Sequence, residues 1–127
     1  MARDYRELRV YATAFEAALE IHKLSEDFPL NERYSLTDQI RRASRSVCAN
    51  LAEAWRRRGY RNHFVAKLGD AQAEAAETGV WLDFAVRLGY LDPGIHSQLV
   101  DRYDHVCRQL ELMARSPDSW LKPSRAL

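Results

Sequence analysis

From Phe64 to Ala85, the side chains Phe64, Leu68, Ala71, Ala75, Thr78, Leu82 and Ala85 recur alternately four and three residues apart. A repeat of that period puts every member on one face of an α-helix and cannot line one face of a strand, where the repeat is two. The same alternation occurs in three more stretches. Val10, Ala14, Ala17, Ile21, Leu24 and Phe28 form one seam, and Leu36, Ile40, Ala43, Val47, Asn50 and Ala54 a second. Ile95, Leu99, Tyr103, Val106, Leu110 and Met113 form the last.

Breakers separate the four seams. Pro29 ends the first, because proline lacks an amide proton and disfavours helical geometry in the residue before it. Ser35 with Asp38 reads as a carboxylate variant of the capping box, and Gly59 as the stop of the second helix. Asn62 is a candidate cap for the third, which Leu88 flanks and Gly89 closes. Asp92 and Pro93 supply an N-cap and a first-turn proline for the fourth, and Pro117 stops it. These signals predict helices over about 10–28, 36–58, 63–88 and 93–115. Residues 117–127 are expected to form a surface tail that Trp120 and Leu121 anchor. No stretch alternates with period two, so the fold class is all-α. Short connections between helices of similar length make antiparallel neighbours, hence an up-down-up-down four-helix bundle occupying 1–127 as one domain. No leader-like apolar region opens the chain and no run nears the roughly 18 apolar residues of a membrane span, which predicts a cytoplasmic protein.

The net charge is only +1, but it is unevenly spread. Residues 1–40 carry −3, residues 41–67 carry +7 and residues 68–127 carry −3. A local excess of this size can attract a polyanion even in a nearly neutral protein. Arg41 and Arg45 lie one turn apart, and Arg56, Arg57, Arg58 and Arg61 crowd the end of the second helix, with Lys67 beyond. Guanidinium forks suit phosphate oxygens, and Trp55, Tyr60 and His63 interleave as possible stacking surfaces. The same residues could instead complement the helix dipole, form a solvated face, or meet an acidic protein.

Gln39, Arg42, Ser46, Asn50 and Glu53 form a polar stripe beside the apolar seam of the second helix. It reads either as an interhelical or intersubunit hydrogen-bond network or as a ligand cleft. Arg42 and Glu53 are too far apart to pair with each other and must reach neighbouring helices or chains. No catalytic, metal or cofactor site is expected. The Glu-x-x-His motifs of a di-iron bundle are missing, and His22, His63, His96 and His105 follow no ligand spacing. Ser44, Ser46 and Cys48 lack a nucleophile setting, and Cys48 and Cys107 read as reduced, buried thiols.

The stretch "LTDQIRRASRSVCANLAEA", with "LRVYATAFEAALEIHKLSEDFP" before it and "LGYL" after it, resembles the 23S ribosomal RNA intervening-sequence protein family. The family pattern Q-I-R-R-A, then S-I-P-x-N-I-A-E-G, is matched by Gln39-Ile40-Arg41-Arg42-Ala43 and by Ser46 through Ala54. Cys48 replaces the usual proline and Ala54 the usual glycine, so the resemblance implies a more continuous second helix here. Where the family tends to Glu-x-Glu in the third helix, this chain has Glu77 and Gly79, which leaves the acidic partner of Arg42 open. The resemblance implies a cytosolic bacterial homopentamer of bundles, similar in fold to the nucleic-acid-associated accessory protein of diversity-generating retroelements. Tyr11, Trp81, Phe84 and Tyr103 are the aromatics that such an assembly would help to cover. Together these readings point to a non-enzymatic, oligomeric bundle that binds RNA or DNA, with a protein-interaction scaffold for an acidic protein partner as the alternative and an enzyme using the polar stripe of the second helix as a distant third.

Overall fold

The structure is a computed structural model that describes residues 2–121. Four helices account for most of it: α1 (Arg9–Ser25), α2 (Leu36–Arg56), α3 (Arg61–Arg87) and α4 (Pro93–Arg115). Single 3-10 turns precede α1 at Tyr5–Glu7, join α1 to α2 at Leu30–Glu32, and follow α4 at Pro117–Ser119. Among the described residues there is no strand. Each helix packs against its neighbours in sequence, α4 closes back on α1, and among the described residues the diagonal pairs make no close backbone approach. This is an antiparallel, up-down-up-down four-helix bundle.

The heptad-like seams become the core. Every predicted member of the α3 seam is buried, and so are Leu99, Tyr103, Val106, Leu110 and Met113 on α4. Fully burying side chains such as Phe64, Leu68 and Leu82 stabilises the fold by roughly 1.5–3 kcal/mol each. The α2 seam is wider than its periodicity suggested: Ser44, Cys48, Leu51 and Trp55 form a second buried row, and Asn50 is only half-buried. The reason is location. α2 packs against α1, α3 and both 3-10 turns that flank α1, so it needs a broad apolar face. Buried Ser44 and Thr78 spend their hydroxyls on their own helices, donating to Arg41 O at 3.2 Å and Glu74 O at 2.9 Å. Tyr103 lies in the core of the single chain, so it needs no second copy to cover it.

Helix ends follow the predicted chemistry in part. Asp92 caps α4, its Oδ2 accepting from the amides of Gly94 at 2.9 Å and Ile95 at 3.2 Å. Gly89 has φ +80° and ends α3 with paired bonds, Gly89 N to Val86 O and Tyr90 N to Ala85 O. Four expectations need correction. α1 stops at Ser25 rather than Phe28, because tightened bonds from Asp27 N and Phe28 N to Leu24 O and Ser25 O unwind the last turn. Ser35 makes no capping bond; Glu32 reaches the first amide of α2 instead, at 3.5 Å to Leu36 N, while Ser35 Oγ donates to the same carboxylate. α2 ends at Arg56 without a left-handed glycine at Gly59, and α3 starts at Arg61 with Tyr60, not Asn62, preceding it. The tail anchor is in place: Trp120 meets Trp55 edge-on, ring centroids 6.4 Å apart. The part of the predicted tail at 122–127 lies outside the described residues.

Candidate nucleic-acid interface

The polar stripe of α2 faces α3, along a seam open to solvent on one side. Arg42 donates to Glu74 at 3.3 Å and to Glu77, and its Nε reaches Gln39 Oε1 at 3.3 Å. The acidic partner left open by Gly79 is therefore a pair, Glu74 and Glu77, one turn apart on α3. The Arg42 hydrogen bond holds the Glu77 carboxyl below its ordinary range, and the same bond raises the Arg42 guanidinium. Trp81 Nε1 donates to Glu77 as well, at 3.3 Å. Nearer the far end of α2, Lys67 bridges to Glu53 at 2.7 Å and to Asn50 Oδ1 at 3.4 Å, and its pKa is raised chiefly by the Glu53 bond. Asn50 Nδ2 donates to Ser46 O at 2.9 Å and Ser46 Oγ at 3.1 Å. All five stripe residues thus take part in two lateral clusters that tie α2 to α3, Gln39 and Arg42 in one and Ser46, Asn50 and Glu53 in the other.

The basic residues separate into structural and available groups. Arg41 is committed: its Nε donates to Ser25 Oγ at 2.7 Å and its Nη2 to His22 O at 3.3 Å, placing a cation at the C-terminal end of α1. Arg58 lies over the Trp55 ring, 3.6 Å from the centroid, with Nε donating to Trp55 O, and burial lowers its pKa. Trp55 is only 4% exposed, so it is a core residue and not a stacking surface for a ligand. Arg61 pairs with Asp118 at 2.6 Å and Lys67 with Glu53. Among the described residues Arg45 bonds to the His22 ring, and Arg45, Arg56 and Arg57 have no carboxylate partner. Arg45 and Arg56, three turns apart, project from the outer side of α2 with the small side chains Ala49 and Ala52 between them, and Arg57 follows exposed at the C-cap. At about 1.5 Å per residue, Arg45 and Arg56 stand about 16 Å apart along the helix.

Two shallow grooves border this outer side. The first, about 700 Å³, runs past Arg33, Tyr34, Asp38 and Arg45 to Ala49. The second, about 810 Å³, begins at Ala52 and holds Arg56, Arg57, Tyr60 and Tyr5. Arg33 and Tyr34 were not singled out in the sequence, because they fall in the turn before α2 and outside any periodic pattern. The available signal was an aromatic ring in a polar connection. Tyr34 is 84% exposed, with the Arg33 guanidinium 5.4 Å from its ring centroid.

Among the described residues no three His, Cys, Asp or Glu side chains converge as metal ligands. Burial pushes the Cys48 thiol up to about 11, which leaves it a protonated core residue at neutral pH. No helix among the described residues is long and apolar enough to cross a membrane.

The fold and surface define a small antiparallel four-helix bundle whose second helix presents a cationic outer side. More particularly, the chain belongs to the 23S rRNA-intervening sequence protein family, whose model matches residues 6–112. It is similar to a protein of unknown function from the S23 ribosomal protein family of Bacteroides thetaiotaomicron, known from a crystal structure. The two are 25% identical with a TM-score of 0.75, over 84% of this chain and 95% of that one. No curated protein matches the chain.

Proposed function

We propose that this protein acts by binding, without catalysis, and that its ligand is the phosphate backbone of a nucleic acid, RNA or DNA, held along the outer side of α2. The observation that carries the reading is the alignment of Arg45 and Arg56 on one exposed side of α2, with Arg57 exposed at its C-cap, none of the three having a carboxylate partner among the described residues. Unpaired guanidinium groups are ready for phosphate oxygens and do not first have to break an ion pair. Arg61 and Lys67 contribute to the field but must exchange Asp118 and Glu53 for phosphate. Arg41, which lines the first groove, and Arg58 add charge while fixed by their intramolecular bonds. The family's association with ribosomal RNA genes, carried in its description, agrees with such a ligand.

The protein is further proposed to assemble as a homo-oligomer, a pentamer by analogy with the family. Support comes from two separate apolar patches. On α1, Phe15 and Leu19 are about half exposed, and Phe15 stacks on Tyr11 at 5.7 Å. At the end of α3, Phe84 and the C-cap residue Leu88 are equally exposed beside Trp81. Two different patches suit a heterologous contact, which closes into a ring more naturally than into a twofold dimer.

The test is a fluorescence titration against a structured RNA and a matched DNA duplex across a salt series, using wild type and an Arg45→Glu, Arg56→Glu, Arg57→Glu variant. These positions leave the core contacts of Arg41 and Arg58 intact. The wild type should show log affinity falling with log salt at about −0.9 per duplex phosphate contacted, and the variant a shallower slope and weaker binding. Absence of binding at about 50 mM salt, where phosphate contacts are strong, would leave an acidic protein as the partner of this surface.

A further inference from the structure

The two grooves on the outer side of α2 share a feature that a pure phosphate-binding surface does not need: each holds an exposed aromatic ring beside unpaired arginines. At the start of α2 this is Tyr34, next to Arg33 and Arg45. At its end it is Tyr60, 65% exposed, next to Arg56 and Arg57, with its ring 5.7 Å from that of His63. Neither tyrosine contributes to the core. Elsewhere the fold uses tyrosine economically: Tyr103 is buried, and Tyr90 packs on Phe28 and donates its hydroxyl to Glu32.

Tyr34 is also held in place. Glu32 accepts from Ser35 Oγ, from Leu36 N and from Tyr90 Oη at 3.0 Å, so the turn that presents Arg33 and Tyr34 is fastened to both α2 and the end of α3. The Ser35 and Tyr90 hydrogen bonds depress the Glu32 carboxyl below its ordinary range, which keeps this fastening ionised at neutral pH. Because that carboxylate already occupies the N-terminal end of α2, an anion in the first groove must be held by side chains, not by the helix end.

We propose that the outer side of α2 is a track for a single, unpaired nucleic-acid strand, with Tyr34 and Tyr60 as base-stacking platforms at its two ends and Arg33, Arg45, Arg56 and Arg57 as its phosphate contacts. The proposal rests on the phosphate-binding reading above and deepens it by choosing the strand over the duplex. A duplex presents phosphates but hides its base faces, so it has no use for an exposed ring; an unpaired strand offers a π-face at every base. Arginine beside the ring adds a cation to the stack. The middle of the track, Ala49 and Ala52, offers only methyl groups to a passing backbone; Asp38, seven residues before Arg45 and on the same stripe, places one carboxylate in the first groove, and Glu53 in the second is neutralised by Lys67. The platforms stand about 30 Å apart, the length of α2 at about 1.5 Å per residue, so one strand must be several nucleotides long to reach both.

The experiment is fluorescence anisotropy with labelled oligo(dT) and oligo(rU) of increasing length and with a duplex of the longest length, at about 50 mM salt. Wild type, Tyr34→Ala, Tyr60→Ala and Tyr34→Phe are compared; both tyrosines are exposed, and circular dichroism checks that each variant folds. The proposal expects single strands to bind more tightly than the duplex, with affinity rising until the strand spans both platforms. Each alanine variant should lose between about fivefold and a hundredfold on the strand and almost nothing on the duplex, while Tyr34→Phe binds like wild type. Preference for oligo(rU) or oligo(dT), with oligo(dU) added to separate the thymine methyl from the 2′-hydroxyl, then identifies the sugar. Equal binding of strand and duplex, insensitive to both alanine changes, would overturn the track and leave the phosphate reading standing. Saturation at a length too short to reach from one tyrosine to the other would overturn the two-platform arrangement. If neither strand nor duplex binds, the underlying phosphate reading fails as well.

Discussion

Arg42 shows how a single side chain on this surface acquires its role. Its guanidinium is shared by Glu74 and Glu77, and its hydrogen bond is the main reason the Glu77 carboxyl is more acidic than usual. A carboxyl whose folded pKa is depressed contributes stability above its unfolded value, here 4.5, and loses it as pH falls through the lower folded value. Wild type should therefore lose stability in denaturant melts as pH drops from about 5 toward 3. Glu77→Gln should be less stable than wild type at pH 7 by about 1 kcal/mol or less, since the pair is partly exposed, and its acid loss should be shallower. An identical pH dependence in the two proteins would mean that this bond does not report on folding. The sequence marked Arg42 as needing a partner on another helix but did not identify it, because Glu74 and Glu77 are ordinary flank residues until α3 is laid beside α2.

At the scale of the helix, α3 is the element most readable from sequence, and it also carries unused stability. Gly69 and Gly79 lie inside it, and a Cβ at either would meet nothing within 4 Å. Glycine in a helix interior costs about 1 kcal/mol relative to alanine. Gly69→Ala and Gly79→Ala should each raise the unfolding free energy by about that amount, measured by denaturant unfolding. Gly89 is the internal control: its φ of +80° is strained for any side chain, so Gly89→Ala should destabilise by about 1–2 kcal/mol although the space is open. A gain at Gly89 matching those at Gly69 and Gly79 would contradict the left-handed ending of α3. α2 shows the reverse case. With Cys48 and Ala54 where the family pattern has proline and glycine, it runs unbroken from Leu36 to Arg56, and its breadth of buried surface comes from packing against its neighbours.

For the whole molecule, the exposed apolar patches on α1 and α3 bear on assembly. The proposed ring requires both patches, one from each of two adjoining copies. Leu19→Asp and Phe84→Asp should each shift the mass measured by light scattering toward a single chain, with helical circular dichroism unchanged because neither side chain belongs to the core. A wild-type mass equal to one chain, or a mass unaffected by both changes, would remove the ring. Loss of mass in only one variant would exclude a contact that pairs the two patches.

The sequence by itself determined the fold class, the four helices and nearly the whole buried face of α3 and α4, because a helix repeats every 3.6 residues and its inward side can be counted along one dimension. It also determined that the chain belongs among the intervening-sequence proteins, through the residues of α2 that match the family pattern. What only the tertiary structure decided is the division of labour among the arginines. Residues adjacent in sequence, Arg57 and Arg58, or one turn apart, Arg41 and Arg45, have different fates: Arg41 and Arg58 are spent on backbone carbonyls of the same chain, whereas Arg57 is left to solvent and Arg45 keeps a single bond to the partly exposed His22 ring. That choice depends on which atoms of other elements come within about 3 Å, the reach of a hydrogen bond, and no count along the chain contains that distance.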